Sequence, residues 1–128
     1  MKAILANKKY AKKIRTAAKT LGICPGSDEV YLAIRGIPTL KIRMKEIESN
    51  ALLMAKYLLD HDLVDDVFHP ALPHTTNHKI WKRDFSGSTG LFSFILKKKY
   101  SNNKIEKFFN KLKIFKLGYS WGGFDSLI

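Results

Sequence analysis

Thr39-Leu40-Lys41-Ile42-Arg43-Met44-Lys45-Glu46-Ile47-Glu48-Ser49-Asn50-Ala51-Leu52-Leu53-Met54-Ala55-Lys56-Tyr57-Leu58-Leu59-Asp60 is the stretch that decides the architecture. Leu40, Met44, Ile47, Ala51, Met54 and Leu58 follow one another at intervals of 4, 3, 4, 3 and 4 residues, which draws a single apolar stripe along a helix. No Gly or Pro interrupts it. The spacing predicts a long helix over residues 39–60 with one face turned to a core.

Downstream the period changes. Val64–Phe68 reads as a short strand closed by His69-Pro70, and residues 70–80 as a loop. Leu91-Phe92-Ser93-Phe94-Ile95-Leu96 is apolar and aromatic-rich between Gly90 and Lys97, and predicts a second strand. Asn103–Leu112 predicts a helix carrying Ile105, Phe108, Phe109 and Leu112, and Ile114–Leu117 a third short strand. Upstream, Tyr10, Ile14, Ala17 and Leu21 mark an amphipathic helix over residues 3–21, ended by Gly22 and Cys24-Pro25-Gly26. Ser27 suits an N-cap for a short helix through Val30–Ile34, broken at Gly36 and Pro38. Helices followed by mixed strands and helices predict an α+β fold: a long linking helix, then a small incomplete sheet covered by helices.

Length and composition fit a globular chain of one domain: 128 residues, 45% apolar. No apolar run approaches the roughly 18 residues of a membrane span, and the basic first twenty residues lack the apolar stretch and cleavage site of a secretory signal. Cys24 stands alone, so no internal disulfide forms, and a cytoplasmic location is expected. The net charge is +12. One cluster holds Lys2, Lys8, Lys9, Lys12, Lys13, Arg15 and Lys19; another holds Lys97, Lys98, Lys99, Lys104, Lys107, Lys111, Lys113 and Lys116. Lys outnumbers Arg, the residue that reads guanine and grips phosphate bidentately, so sequence-specific nucleic-acid recognition is not expected.

His61, His69, His74 and His78 crowd together, and zinc needs three or four such ligands converging. Pro73 and the polar residues around His74 and His78 argue for a loop instead of a ligand helix, and no metal is assigned. Ser86-Gly87-Ser88-Thr89-Gly90 has the composition of a phosphate loop, but a strand follows it where a helix N-terminus is needed, so a tight turn is expected. Trp81 reads as a packing anchor beside solvated Lys82, Arg83 and Asp84.

The chain ends on Tyr119-Ser120-Trp121-Gly122-Gly123-Phe124-Asp125-Ser126-Leu127-Ile128, a Gly-Gly turn with aromatic and hydroxyl side chains, as an active-site loop is built. Ser120–Ile128 resembles the Ser-Trp-Gly-Gly-Tyr-Glu-Ser-Leu-Ile of the cystathionine β-lyase branch of the pyridoxal-phosphate-dependent Cys/Met metabolism (trans-sulfuration) family. Three further blocks resemble that family in the same order: Arg35-Gly36-Ile37-Pro38-Thr39-Leu40, His69-Pro70-Ala71-Leu72-Pro73, and Trp81–Ser88 followed by Gly90-Leu91-Phe92-Ser93-Phe94.

The resemblance implies part of a fold-type I enzyme. Residues 1–38 would be the edge of the cofactor domain, 39–60 the linking helix and 61–128 a truncated C-terminal domain. It implies that Ser120 and Trp121 line the substrate side of the pyridoxal site, Trp121 being the β-lyase variant of a position that is Leu in many relatives. A pyridoxal enzyme needs a Schiff-base lysine and a partner for the pyridinium nitrogen. The family sets that lysine in a Ser/Ala-Thr-Lys-aromatic motif, which neither Lys19 nor Lys41 matches. By the order of the blocks, the lysine segment falls before Met1 and the carboxylate-binding arginine after Ile128. The expectation is therefore no catalytic residue and no cofactor-binding residue in this chain. Three readings stand: an inactive portion of a lyase, one half of a split lyase completed by a chain bearing the lysine, and a basic binding module reusing the fold. The parent family is homo-oligomeric. No membrane partner is expected.

Overall fold

The computed structural model describes residues 4–128. Lys2 and Ala3, which belong to the first basic cluster and the first predicted helix, lie outside the described residues. The element order is α1 (Lys8–Thr20), α2 (Ser27–Gly36), α3 (Leu40–Leu59), β1 (Val64–Phe68), α4 (His78–Asp84), β2 (Ser93–Leu96) and α5 (Asn102–Phe109). The fold is α+β. It divides into two compact units, one running to Lys41 and the other from Ile42 to Ile128.

In the first unit α1 starts later than predicted, at Lys8. Asn7 is its N-cap, the side-chain oxygen accepting from the Tyr10 N–H at 3.3 Å. Gly22, at φ 65°, ends it in the left-handed conformation that glycine adopts without penalty. The N-cap of α2 is Gly26, not Ser27, which is already helical. Asp28 and Glu29 occupy the first turn, where the helix dipole favours them.

The second unit is built on α3, 20 residues long. Ala51 is buried and Met44, Ile47, Met54 and Leu58 are half-buried, so the stripe turns inward as its spacing predicts; Leu40 at its start is exposed. Ala55, off the stripe, is fully buried. β1 and β2 pair antiparallel, with Val67 opposite Phe94 and Phe68 opposite Ser93. The ladder is irregular between Val64 and Asp66. That irregularity explains the burial. Strict alternation would put Val64 and Val67 on opposite faces, yet both are buried; the extra residue at Asp65 brings the two valines to one side. Ala55, Val64, Val67 and Leu72 form the core, with Leu58, Phe92 and Phe94 against it.

Three further expectations are corrected. β2 covers only Ser93–Leu96, because the Leu91 N–H turns to the Thr89 hydroxyl at 3.3 Å. Ile114–Leu117 is no strand: only Lys116 pairs, in an isolated parallel bridge with Leu127. The 70–80 loop gives way at His78 to α4, which carries Trp81, half-buried and with its ring centroid 5.7 Å from that of His78.

Candidate functional site

The C-terminal turn is an excursion from a small clamp. The Lys116 N–H donates to the Ser126 carbonyl and the Ile128 N–H to the Lys116 carbonyl, both at 3.0 Å. Leu127 covers Gly118 so closely that a Cβ there would stand 2.9 Å from the leucine Cδ2. Between these points the chain runs out through Ser120 and Trp121 and bends at Gly122, at φ 76°, a conformation reserved in practice for glycine. The turn is open to solvent: Trp121 is 64% exposed and Phe124 99%. Ser120, also exposed, sits beside Trp121 on this projection. Adjacent and both exposed, they offer a hydroxyl and a large flat ring, the elements of an amphipathic contact with a small polar ligand.

The Ser86–Gly90 loop does cradle an anion, but the anion is the chain's own. Glu48, from the middle of α3, places Oε1 2.8 Å from the Ser88 backbone nitrogen and 3.1 Å from the Ser88 Oγ; both groups donate to it. Gly87 makes this approach possible, since a Cβ there would lie 3.1 Å from Glu48 Oε2. Ser88 is buried, so its N–H has no water to turn to. The composition that suggests a phosphate loop here serves to fasten the loop to the long helix.

His69 lies next to this lock, fully buried. Its Nδ1 accepts from the Ala71 N–H at 3.1 Å, while Nε2 has no partner in hydrogen-bonding geometry. Burial lowers its pKa below 6.5; the Thr89 backbone and the Glu48 charge pull the other way without prevailing. The remaining histidines also have local tasks. His61 Nδ1 accepts from the Leu63 N–H, His74 Nε2 donates to Asp66 Oδ1 at 2.9 Å, and His78 Nδ1 donates to the Pro70 carbonyl at 3.0 Å. Among the described residues no three metal-binding side chains converge. The His69-Pro70-Ala71-Leu72-Pro73 block is thereby a knotted turn: the Thr75 hydroxyl closes it onto the His69 and Leu72 carbonyls at 2.8 and 2.7 Å, and Leu72 seals the core.

This order of blocks on one fold is shared. The chain matches the Cys/Met metabolism PLP-dependent enzyme family over residues 2–128. It belongs to that family. It is 40% identical over 124 residues to cystathionine beta-lyase of Escherichia coli (strain K12), covering 97% of this chain and 31% of the relative. It is also 40% identical over 128 residues to an L-alanine/L-glutamate racemase of Wolbachia pipientis wMel, covering 32% of that protein. The solved structure of cystathionine gamma synthase from Xanthomonas oryzae pv. oryzae, in complex with aminoacrylate and cysteine, superposes with a TM-score of 0.81 at 25% identity, over 95% of this chain and 31% of that one. The chain thus spans about a third of the length of the relatives it matches. Equal identity to a lyase and a racemase means that the shared fold does not by itself choose the reaction.

The family's cofactor needs an enclosed, nucleophilic lysine. Every described lysine is exposed, with none in the enclosed setting that makes a Schiff-base amine nucleophilic. The cradle built by Ser88, a backbone N–H and a hydroxyl, is filled by Glu48. Among the described residues no helix is long and apolar enough to cross a membrane.

Proposed function

We propose that this chain is a portion of a cytoplasmic carbon–sulfur lyase of the cystathionine β-lyase type, and that it contributes the substrate-facing wall of the site through Ser120 and Trp121. In the complete enzyme the reaction is β-elimination: cystathionine and water give homocysteine, pyruvate and ammonia. The chain by itself carries no catalysis. The observation that carries this reading is the exposed Ser120-Trp121-Gly122-Gly123 turn, held at its base by the Lys116–Leu127 bridge, in a chain whose described lysines are all exposed. Trp121 supports the β-lyase assignment, since by resemblance it is the residue of that branch where many relatives carry Leu. A projecting indole and hydroxyl suit a wall that closes on a substrate held by other groups.

The split form of the reading adds a partner: a chain bearing the lysine segment would supply the cofactor, and this one the wall. The test is a visible absorbance titration with pyridoxal phosphate and a pyruvate-release assay on L-cystathionine. The purified chain is expected to release no pyruvate and to take up no stoichiometric cofactor. Co-expression with a segment carrying the family's lysine motif distinguishes the two forms: restored turnover establishes the split enzyme, and none leaves the inactive portion. Saturable one-to-one uptake with pyruvate release by this chain alone overturns the proposal.

A further inference from the structure

The function above makes no use of α1, which carries the densest charge of the described chain. Lys8, Lys9, Lys12, Lys13, Arg15 and Lys19 lie within its 13 residues, and no acidic residue accompanies them. None of the six is in an ion pair among the described residues. Four of them, Lys8, Lys12, Arg15 and Lys19, line a single shallow strip of the helix surface, floored by Ala11 and Thr16. Their spacing of 4, 3 and 4 residues explains why: successive members fall one helical turn apart on the same side. The small side chains between them leave the strip open.

This arrangement works against the helix. Lys8 and Lys12, Lys9 and Lys13, and Arg15 and Lys19 are like charges four residues apart, each pair weakening it. A helix of this length is marginal alone. A polyanion laid along the strip would convert repulsion into attraction and release its own counterions.

We infer that the Lys8-Lys12-Arg15-Lys19 face of α1 is a docking strip for the phosphate backbone of nucleic acid, bound without regard to sequence. The strip runs for about 16 Å at a rise of about 1.5 Å per residue, close to five base-pair steps of about 3.4 Å along one strand. Lysine predominates, a point charge that neutralises phosphate without reading base edges. An anionic membrane is the weaker fit. The opposite side of α1 offers Tyr10, Ile14, Ala17 and, at the C-cap, Leu21, a short apolar face with only three large side chains for insertion among lipids.

The experiment is fluorescence anisotropy of a labelled 20-base-pair duplex of mixed sequence, titrated with the full chain at 50–200 mM salt. Two variants of equal charge loss are compared, K8Q/K12Q/R15Q/K19Q and K97Q/K98Q/K99Q/K104Q. Glutamine keeps the helix propensity of lysine, and far-UV circular dichroism verifies that α1 persists. The parent is expected to lose about 100-fold in affinity across that salt range, from a log–log slope of about −3.6 for four phosphates. The α1 variant is expected to bind at least tenfold more weakly at 50 mM with most of that slope gone, while the second variant keeps the larger part of both. Equal losses in the two variants reduce the effect to net charge and overturn the inference. So does tighter binding to phosphatidylserine vesicles than to the duplex, or strong preference for one sequence.

Discussion

Replacing Glu48 by alanine isolates the lock between α3 and the Ser86–Gly90 loop, two segments 40 residues apart in sequence. Two donors lose their acceptor. The Ser88 hydroxyl can rotate, but the backbone N–H cannot, and Ser88 is buried. A hydrogen bond to a charged group contributes about 1.5–3 kcal/mol, and stranding a buried donor costs about 1–3 kcal/mol. These overlap, so the expected loss is about 2–4 kcal/mol. In a chain of this size 1 kcal/mol moves the midpoint by about 3–6 °C, so Glu48→Ala should melt at least about 6 °C lower by circular dichroism. Ser88→Ala keeps the backbone bond and should lose about 1 kcal/mol. Gly87→Ala leaves both donors in place but pushes a methyl towards the carboxylate, and should fall between the two. A cycle over Glu48→Ala and Ser88→Ala should then show coupling, because the hydroxyl has nothing to bond once the carboxylate is gone. If Glu48→Ala melts within about 2 °C of the parent, or if the two substitutions add without coupling, the lock is not a stabilising contact and the reasoning fails.

His69 predicts a pH dependence. Its pKa in the fold lies below 6.5, so the unfolded chain takes up the proton first; stability from this residue is complete above about pH 6.5 and declines as pH falls. Denaturant midpoints from pH 7.5 to 5 should drop in the parent and flatten in His69→Gln, and an unchanged slope would exonerate the histidine. Gly122→Ala should strain the turn by about 1 kcal/mol and speed amide exchange at Ile128, whose N–H closes the clamp, without shifting the global midpoint. In a reconstituted lyase Trp121→Ala should lower turnover and leave cofactor uptake intact, and parallel loss of both would assign the indole to folding. The isolated chain should self-associate on size-exclusion chromatography, since Ile42, Leu53, Tyr57 and most of the α2 apolar side chains are exposed; a sharp monomer peak would count against this.

Local pattern carried far where a period is sustained. The α3 stripe is legible because six apolar positions repeat one face, and β1 because valine and phenylalanine cluster between turn signals. It carried less far where partners are distant. Nothing near Ile114–Leu117 tells that only Lys116 finds a bridge partner, Leu127, eleven residues on. Ala55 is invisible to a stripe of larger residues, yet it sits at the centre of the core. In the Ser86–Gly90 loop the sequence argued for a tight turn and against an anion cradle; that Glu48 is received there depends on a contact no window of neighbours contains. Ser120 and Trp121 were marked by a motif, and the structure adds their exposure and the clamp beneath them.

The irregularity at Asp65 makes β1 a strand with a parity. Side chains on either side of it are counted in different registers, and the core uses one valine from each. A substitution at this exposed aspartate changes only charge, whereas deleting it alters parity and sends Val64 or Val67 to the solvent face. The strand is thus tolerant of spelling and intolerant of length. Over generations this region should accept exchanges at position 65 while refusing single-residue gaps, the reverse of what its place on the surface would suggest.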